Sequence, residues 1–202
     1  KTTAKKTFAP GLYDLTELQR DANKRFGYSA KETLNIMQRL YESHKVLTYP
    51  RTDSRYITTD VADTLKERLK ACSVGPYRKL AGSLSMRPIR KNASFVDNKK
   101  VTDHHAIIPT EQFVDLQTMT NEERKVYDLV VRRFLAVLLP AFEYDQTVFT
   151  GGLAGESFTA KGKIVKSQGW KEAYENLETD EEWEEADDLA AAPKEQTLPS
   201  VK

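Results

Sequence analysis

One cysteine, Cys72, is all that this chain of 202 residues contains. That excludes an internal disulfide and a cysteine-rich zinc site, and its setting among Val61, Leu65 and Leu69 marks it as a small core residue. Long apolar runs are also missing. The longest, residues 126–139, is broken by Asp128, Arg132 and Arg133, so nothing supplies the roughly 20 apolar residues that a bilayer-spanning helix needs. No signal peptide opens the chain and no repeat runs through it, so the expected setting is cytoplasmic, with no membrane partner. A hydrophobic content of 39% with 30% charged residues gives no case for disorder and suits one sizeable domain or two small ones.

A strong net charge is lacking too, but the total of +1 hides a division. Residues 1–110 carry 21 Lys and Arg against 11 Asp and Glu, a net +10, whereas residues 111–202 carry 10 against 19, a net −9. The two parts therefore suit different partners. A basic surplus favours a polyanion, because each cation placed on a phosphate releases counterions, and the acidic part repels one.

Periodicity and capping signals predict an α+β chain, with a mainly helical part followed by a long helix and a small antiparallel β unit. Residues 1–10 are basic, polar and aperiodic and read as a linker, so order is expected from about Leu12. Residues 14–25 form an amphipathic pattern with Leu15, Leu18, Ala22 and Phe26 inward, opened by an Asp14-x-x-Glu17 cap and closed by Gly27. A second helix follows from the Ser29-x-x-Glu32 capping box, with Leu34, Ile36, Met37, Leu40 and Tyr41 as its apolar stripe. Two short helices leading into an expected strand over 46–49 resemble a winged helix-turn-helix.

Thr59 is expected to cap a further helix reaching about Cys72, with loops around one short helix near Tyr77 beyond it. Thr120-x-x-Glu123 opens a helix that is apolar around most of its circumference and stops at Pro140. Residues 141–150 and 157–165 then alternate as strands, separated by Gly151-Gly152 and Gly155, and residues 178–188 are mostly carboxylates of a solvated tail.

Two short stretches carry chemistry. In Tyr-Pro-Arg-Thr-Asp-Ser-Arg-Tyr (49–56), an extended backbone would put Tyr49 and Arg51 on one side, about 7 Å apart at their bases. A phenol is a weak nucleophile at neutral pH; a neighbouring guanidinium favours the phenolate and grips phosphate bidentately. Tyr-Pro also ends strands and Thr-Asp-Ser also makes caps or turns, so the residues alone leave a structural reading open. The other stretch is Asp-His-His-Ala-Ile-Ile-Pro-Thr (103–110). Adjacent histidines on extended backbone face opposite ways and are poorly placed to grip one metal together, so the pair reads as supplying a hydrogen-bond donor or as a structural, solvent-facing feature.

Taken together, Leu-Gln-Arg-Asp-Ala-Asn-Lys-Arg-Phe-Gly (18–27), Gln-Arg-Leu-Tyr-Glu (38–42), Thr-Tyr-Pro-Arg-Thr-Asp-Ser (48–54) and His-His-Ala-Ile-Ile-Pro-Thr (104–110) resemble a type IA DNA topoisomerase. The form most similar is bacterial topoisomerase III. The four motifs cover residues 12–110, with weaker similarity to about 176. The resemblance implies a transesterification in which Tyr49 attacks a phosphodiester of single-stranded DNA and becomes joined to the 5′ phosphate. Arg51 would hold that phosphate and favour the phenolate, His104 would stabilise charge on it, and Gln38, Tyr41 and Arg55 would contact DNA. Tyr41 also lies on the apolar stripe of its helix, which would make it a core residue.

By the same resemblance, residues 12–118 would be the tyrosine-bearing domain III, residues 119–176 part of the hinge domain II, residues 1–11 a linker from an upstream domain and residues 177–202 an acidic tail. The family's Mg²⁺ is held by carboxylates of a Toprim domain, and no such paired aspartates stand before Lys1, so the chain is expected to bind no metal and to be inactive alone. Its expected partners are single-stranded DNA and the remaining domains of the parent enzyme. Other tyrosine chemistries fit less well. An HUH-type nuclease separates its two histidines by one residue, and a tyrosine recombinase places its arginines and histidine before the tyrosine, whereas Arg51 and His104 follow Tyr49. The rival of a different class is a non-catalytic winged-helix module that binds nucleic acid by charge alone.

Overall fold

The computed structural model describes residues 1–89, 91–153 and 156–175. The carboxylate-rich stretch 178–188 and Gly155 lie outside them. The chain is α+β and falls into two compact units, residues 9–140 and residues 1–8 with 141–202.

The larger unit is helical, and its helices start where local chemistry provides an acceptor for orphan N–H groups. Helix α1 (Leu15–Phe26) is capped by the Asp14 carboxylate, which accepts from the Glu17 N–H at 2.7 Å. It ends at Gly27 with φ 72°, a left-handed conformation that glycine adopts without the Cβ penalty. Helix α2 (Ala30–Glu42) and the later α6 (Asn121–Val137) both open with reciprocal capping boxes, Ser29 with Glu32 and Thr120 with Glu123. Leu18, Ala22, Ile36, Met37 and Leu40 are buried against α6, whose Val126, Val130 and Phe134 are buried in turn.

Two ion networks lock these three helices. Glu123 accepts from Arg39 Nε at 2.7 Å and from His44 Nε2 at 3.1 Å, tying the end of α2 to the start of α6. Burial opposes ionisation of Glu123, but the bonds from Arg39, the Thr120 backbone and His44 outweigh it and hold its carboxyl below the usual range. Arg133 of α6 is buried, lies over the Tyr13 ring at 4.2 Å, and donates to Asp21 at 2.8 Å, to the Tyr13 hydroxyl at 3.1 Å and to the Gly11 carbonyl at 3.1 Å. Tyr13 in turn donates to Asp21.

Between α2 and α6 the structure departs from the expected single helix over 59–72. It forms α3 (Thr59–Asp63) and α4 (Leu65–Ala71), broken at Thr64, whose hydroxyl donates to the Val61 carbonyl and accepts from Arg68 Nε. Arg68 is buried and carries on to the Pro109 carbonyl at 2.8 Å and Glu111 at 2.7 Å, so the break serves a long-range contact. A turn over Gly75–Tyr77 leads into α5 (Arg78–Ser85). Cys72 is a free, fully buried thiol, pushed up to about 12 by burial.

The expected strand over 46–49 is an extended segment held by a single bridge, Leu47 to Pro109, with the Thr48 N–H donating to the Ile108 carbonyl at 3.0 Å. The run 106–109 is wholly buried, with Ile107 bridged to Tyr13 on its other side. This run crosses the unit beside three separate stretches, and that position sets the site described below.

The smaller unit is an antiparallel sheet in the order β1-β2-β3. Strands β2 (Phe142–Leu153) and β3 (Glu156–Ser167) form the expected hairpin, with Gly151 and Gly152 inside β2 rather than between the strands. The first strand corrects the linker reading: Thr2–Thr7 is β1, paired from Thr2 with Thr147 to Thr7 with Phe142. A basic polar segment has no hydrophobic alternation to betray a strand, and its pairing comes from backbone groups matched across about 140 residues. Trp170 closes the unit by donating to the Thr7 carbonyl at 3.1 Å.

Candidate active site

Tyr49 follows α2 by seven residues and is half-buried, next to buried Pro50 and exposed Arg51. The turn out of α2 is tight, since Lys45 takes φ 58° and its carbonyl accepts from the Thr110 hydroxyl. This returns the chain alongside residues 106–110 and delivers Tyr49 to the open end of that run.

The histidine pair is split by the same run. His104 is exposed, and its ring centroid lies 4.3 Å from that of Tyr49 with the planes tilted by 39°. His105 faces elsewhere and donates from Nδ1 to the Ala106 carbonyl at 2.8 Å. Burial, with the Arg68 cation nearby, holds the His105 imidazole below its usual range, so it is the neutral form that is favoured there. Residues 106–109 are drawn into the core, and His104 is left at the surface where Tyr49 emerges.

Tyr41 is not a core residue. It is 36% exposed and sets its ring edge-on to Tyr49, centroids 5.5 Å apart at 79°. Residues 38 and 42 lie on the same helix, where Gln38 donates to Glu42 at 2.6 Å. Arg51 forms no hydrogen bond or ion pair among the described residues, which leaves its guanidinium available to an anion. Arg55 stands differently. Its Nε donates to the Leu12 carbonyl at 3.2 Å, and Asp14 and Glu17 lie 4.0 and 3.8 Å away, so this cation is already engaged within the fold.

Sequence reasoning missed the hydroxyls that hold the site. Thr48 donates to the Ala106 carbonyl at 3.1 Å and Thr52 to the His104 carbonyl at 2.9 Å. Ser54, also buried, donates to the Lys100 carbonyl at 2.8 Å. Three hydroxyls within seven residues of a segment with little regular pairing were the available signal, because buried backbone acceptors outside a sheet need side-chain donors. Among the described residues no three His, Cys, Asp or Glu side chains come together as a metal site, and no helix is long and apolar enough to cross a membrane.

Comparison with known proteins bears on the whole chain. The family model described as DNA topoisomerase matches residues 1–202. A protein named DNA topoisomerase 3 from Bacillus anthracis is 62% identical over 198 residues, 98% of this chain and 26% of that protein. DNA topoisomerase 3 from Bacillus subtilis is 54% identical over 202 residues, 100% of this chain and 27% of that protein. Full-length topoisomerase I from Thermotoga maritima superposes with a TM-score of 0.60 at 24% identity, covering 88% of this chain and 29% of that one, a likeness of fold. The chain thus spans about a quarter of the length of these relatives.

Proposed function

Because this chain belongs to the DNA topoisomerase family, we propose that it carries the nucleophile of a type IA enzyme, with Tyr49 attacking one strand of single-stranded DNA. The observation that carries this reading is the packing of His104 against Tyr49, a contact across 55 positions of sequence that puts an imidazole beside the phenol at the surface. In the reaction, the Tyr49 Oη–P bond forms as the P–O3′ bond breaks. The phenol gives up its proton and the departing 3′ oxygen takes one, leaving a 3′ hydroxyl and a 5′ phosphate on the tyrosine. Reversal reseals the strand, and no external energy is needed because one phosphodiester replaces another.

Arg51, without a hydrogen-bond or ion-pair partner among the described residues, grips the phosphate, and His104 stabilises the charge that builds on its oxygens. Tyr41 and Gln38, on the helix face beside Tyr49, contact DNA. Arg55, held against Asp14 and Glu17, reaches DNA less readily than Arg51. Family resemblance implies Mg²⁺ on carboxylates of another domain; the described residues offer no cluster of ligands that fits it. Residues 12–118 then correspond to the tyrosine-bearing domain and residues 119–176, the long helix and the strands, to part of the hinge domain, working in the cytoplasm with the rest of the parent enzyme. The chain by itself binds single-stranded DNA weakly and salt-sensitively and does not cut it.

The test is Tyr49→Phe in the intact parent enzyme. The covalent adduct with labelled DNA, seen under denaturing conditions, disappears while DNA binding stays nearly unchanged, since only one oxygen is removed. An adduct that persists in the Phe variant means that another residue is the nucleophile. Binding without any adduct in the unsubstituted enzyme means a nucleic-acid-binding module instead.

A further inference from the structure

We propose that Thr52 is a positioning residue whose hydroxyl fixes His104 on the Tyr49 ring. The inference rests on the reading of Tyr49 and His104 given above and adds what holds them together. Thr52 stands between exposed Arg51 and exposed Asp53, yet it is only 8% exposed itself. Its hydroxyl is used in both senses, donating to the His104 carbonyl at 2.9 Å and accepting from the Ser54 N–H at 3.1 Å. A hydroxyl with donor and acceptor both engaged has one orientation. The Thr52 carbonyl accepts from the N–H of Leu15 at 3.0 Å, one of the groups that a helix start leaves without an internal partner. Thr52 therefore joins the tyrosine loop, the start of α1 and the histidine segment.

Thr48 provides the contrast. Thr48 and Thr52 bracket Tyr49-Pro50-Arg51 and donate to carbonyls two residues apart, those of Ala106 and His104. At the Thr48 side the backbone also bonds, through the Thr48 N–H to the Ile108 carbonyl and the Leu47–Pro109 bridge, so the segments stay paired without the hydroxyl. At the other side the nearest backbone bond runs from the Ala106 N–H to the Tyr56 carbonyl at 2.9 Å, and none reaches His104 itself among the described residues. The Thr52 hydroxyl is therefore the bond made directly to the His104 carbonyl among the described residues, and it fixes the residue whose imidazole packs on Tyr49.

The test uses the intact enzyme that carries this chain and reads single-turnover cleavage of a labelled oligonucleotide at saturating DNA, with DNA affinity measured separately. Thr52→Val keeps the branched shape and deletes the hydroxyl; cleavage slows about tenfold or more with affinity unchanged, and Thr52→Ser restores the rate. Thr52→Ala serves as the second variant should valine not fold. On a His104→Ala background, Thr52→Val has little further effect, because the two residues act in series. Full-rate cleavage by Thr52→Val, or an equal further loss on the His104→Ala background, overturns the inference while leaving the Tyr49→Phe result, and so the reading of Tyr49, intact.

Discussion

Replacing each histidine of the pair in turn separates chemistry from folding, because the structure gives the two rings different work. His104 is exposed and meets Tyr49 at 4.3 Å, and its ring donates no hydrogen bond to the described residues. Its removal costs little stability. If it stabilises charge on the phosphate, the loss resembles that of one oxyanion donor, about 2.7–4 kcal/mol or roughly 10²–10³ in rate. His105 is half-buried with Nδ1 on the Ala106 carbonyl, so His105→Ala removes a neutral hydrogen bond and some packing, on the order of 1–2 kcal/mol of stability. Its direct effect on the chemical step is expected to be about twofold at most.

The assay is single-turnover cleavage of an end-labelled single strand by the intact enzyme, beside thermal melting of each variant. His105 carries an additional signature in pH. Its folded pKa is lowered, so its contribution is complete above the unfolded value of about 6.5 and is lost as pH falls through the folded value. The melting difference between His105→Ala and the unsubstituted protein should therefore narrow from pH 7.5 to pH 5.5. A larger rate loss at His105 than at His104 refutes the assignment of roles, whatever the melts show.

Two further outcomes concern the frame around the site. Glu123→Gln is expected to cost about 2 kcal/mol near neutral pH, discounted for the half-exposed Arg39 partner; because the Glu123 pKa is lowered on folding, the deficit shrinks as pH falls below about 4.5, which melts across pH 3.5–7 will test. Arg133→Ala leaves Asp21 and the Tyr13 hydroxyl without their buried cation and should cost about 3–5 kcal/mol, and Arg133→Lys restores little because one ammonium cannot span Asp21, Tyr13 and the Gly11 carbonyl; denaturant titration that ranks lysine equal to arginine contradicts this.

Helices α1, α2 and α6 were legible in the sequence because their signals are local. Asp14, Ser29 and Thr120 each cap a backbone group three residues on, and Gly27 takes a left-handed turn that its own lack of a side chain permits. The divergence of His104 and His105 is local too, since neighbours on extended backbone face opposite ways. The hairpin of β2 and β3 showed in its alternation, and the burial of Cys72 in its helical neighbours.

Tertiary structure decided what depends on distant partners. Strand β1 exists because β2 offers it matched backbone groups, and no property of residues 2–7 announces that. Helices α3 and α4 part at Thr64 where Arg68 turns toward Pro109 and Glu111, a contact across about 40 residues that overrides helical propensity. Tyr41 sits on an apolar stripe, yet it faces Tyr49 because α2 buries Ile36, Met37 and Leu40 against α6 and leaves position 41 at the rim. Arg51 and Arg55 look alike in sequence, but only one of them finds Asp14 and Glu17 beside it. From the residues alone, nothing chose between the two histidines. The buried run 106–109 brings His104 to the tyrosine, and the backbone bonds of Thr48 and Ala106 with the Thr52 hydroxyl hold that run in register with the tyrosine loop, a non-local fit that periodicity and capping do not encode.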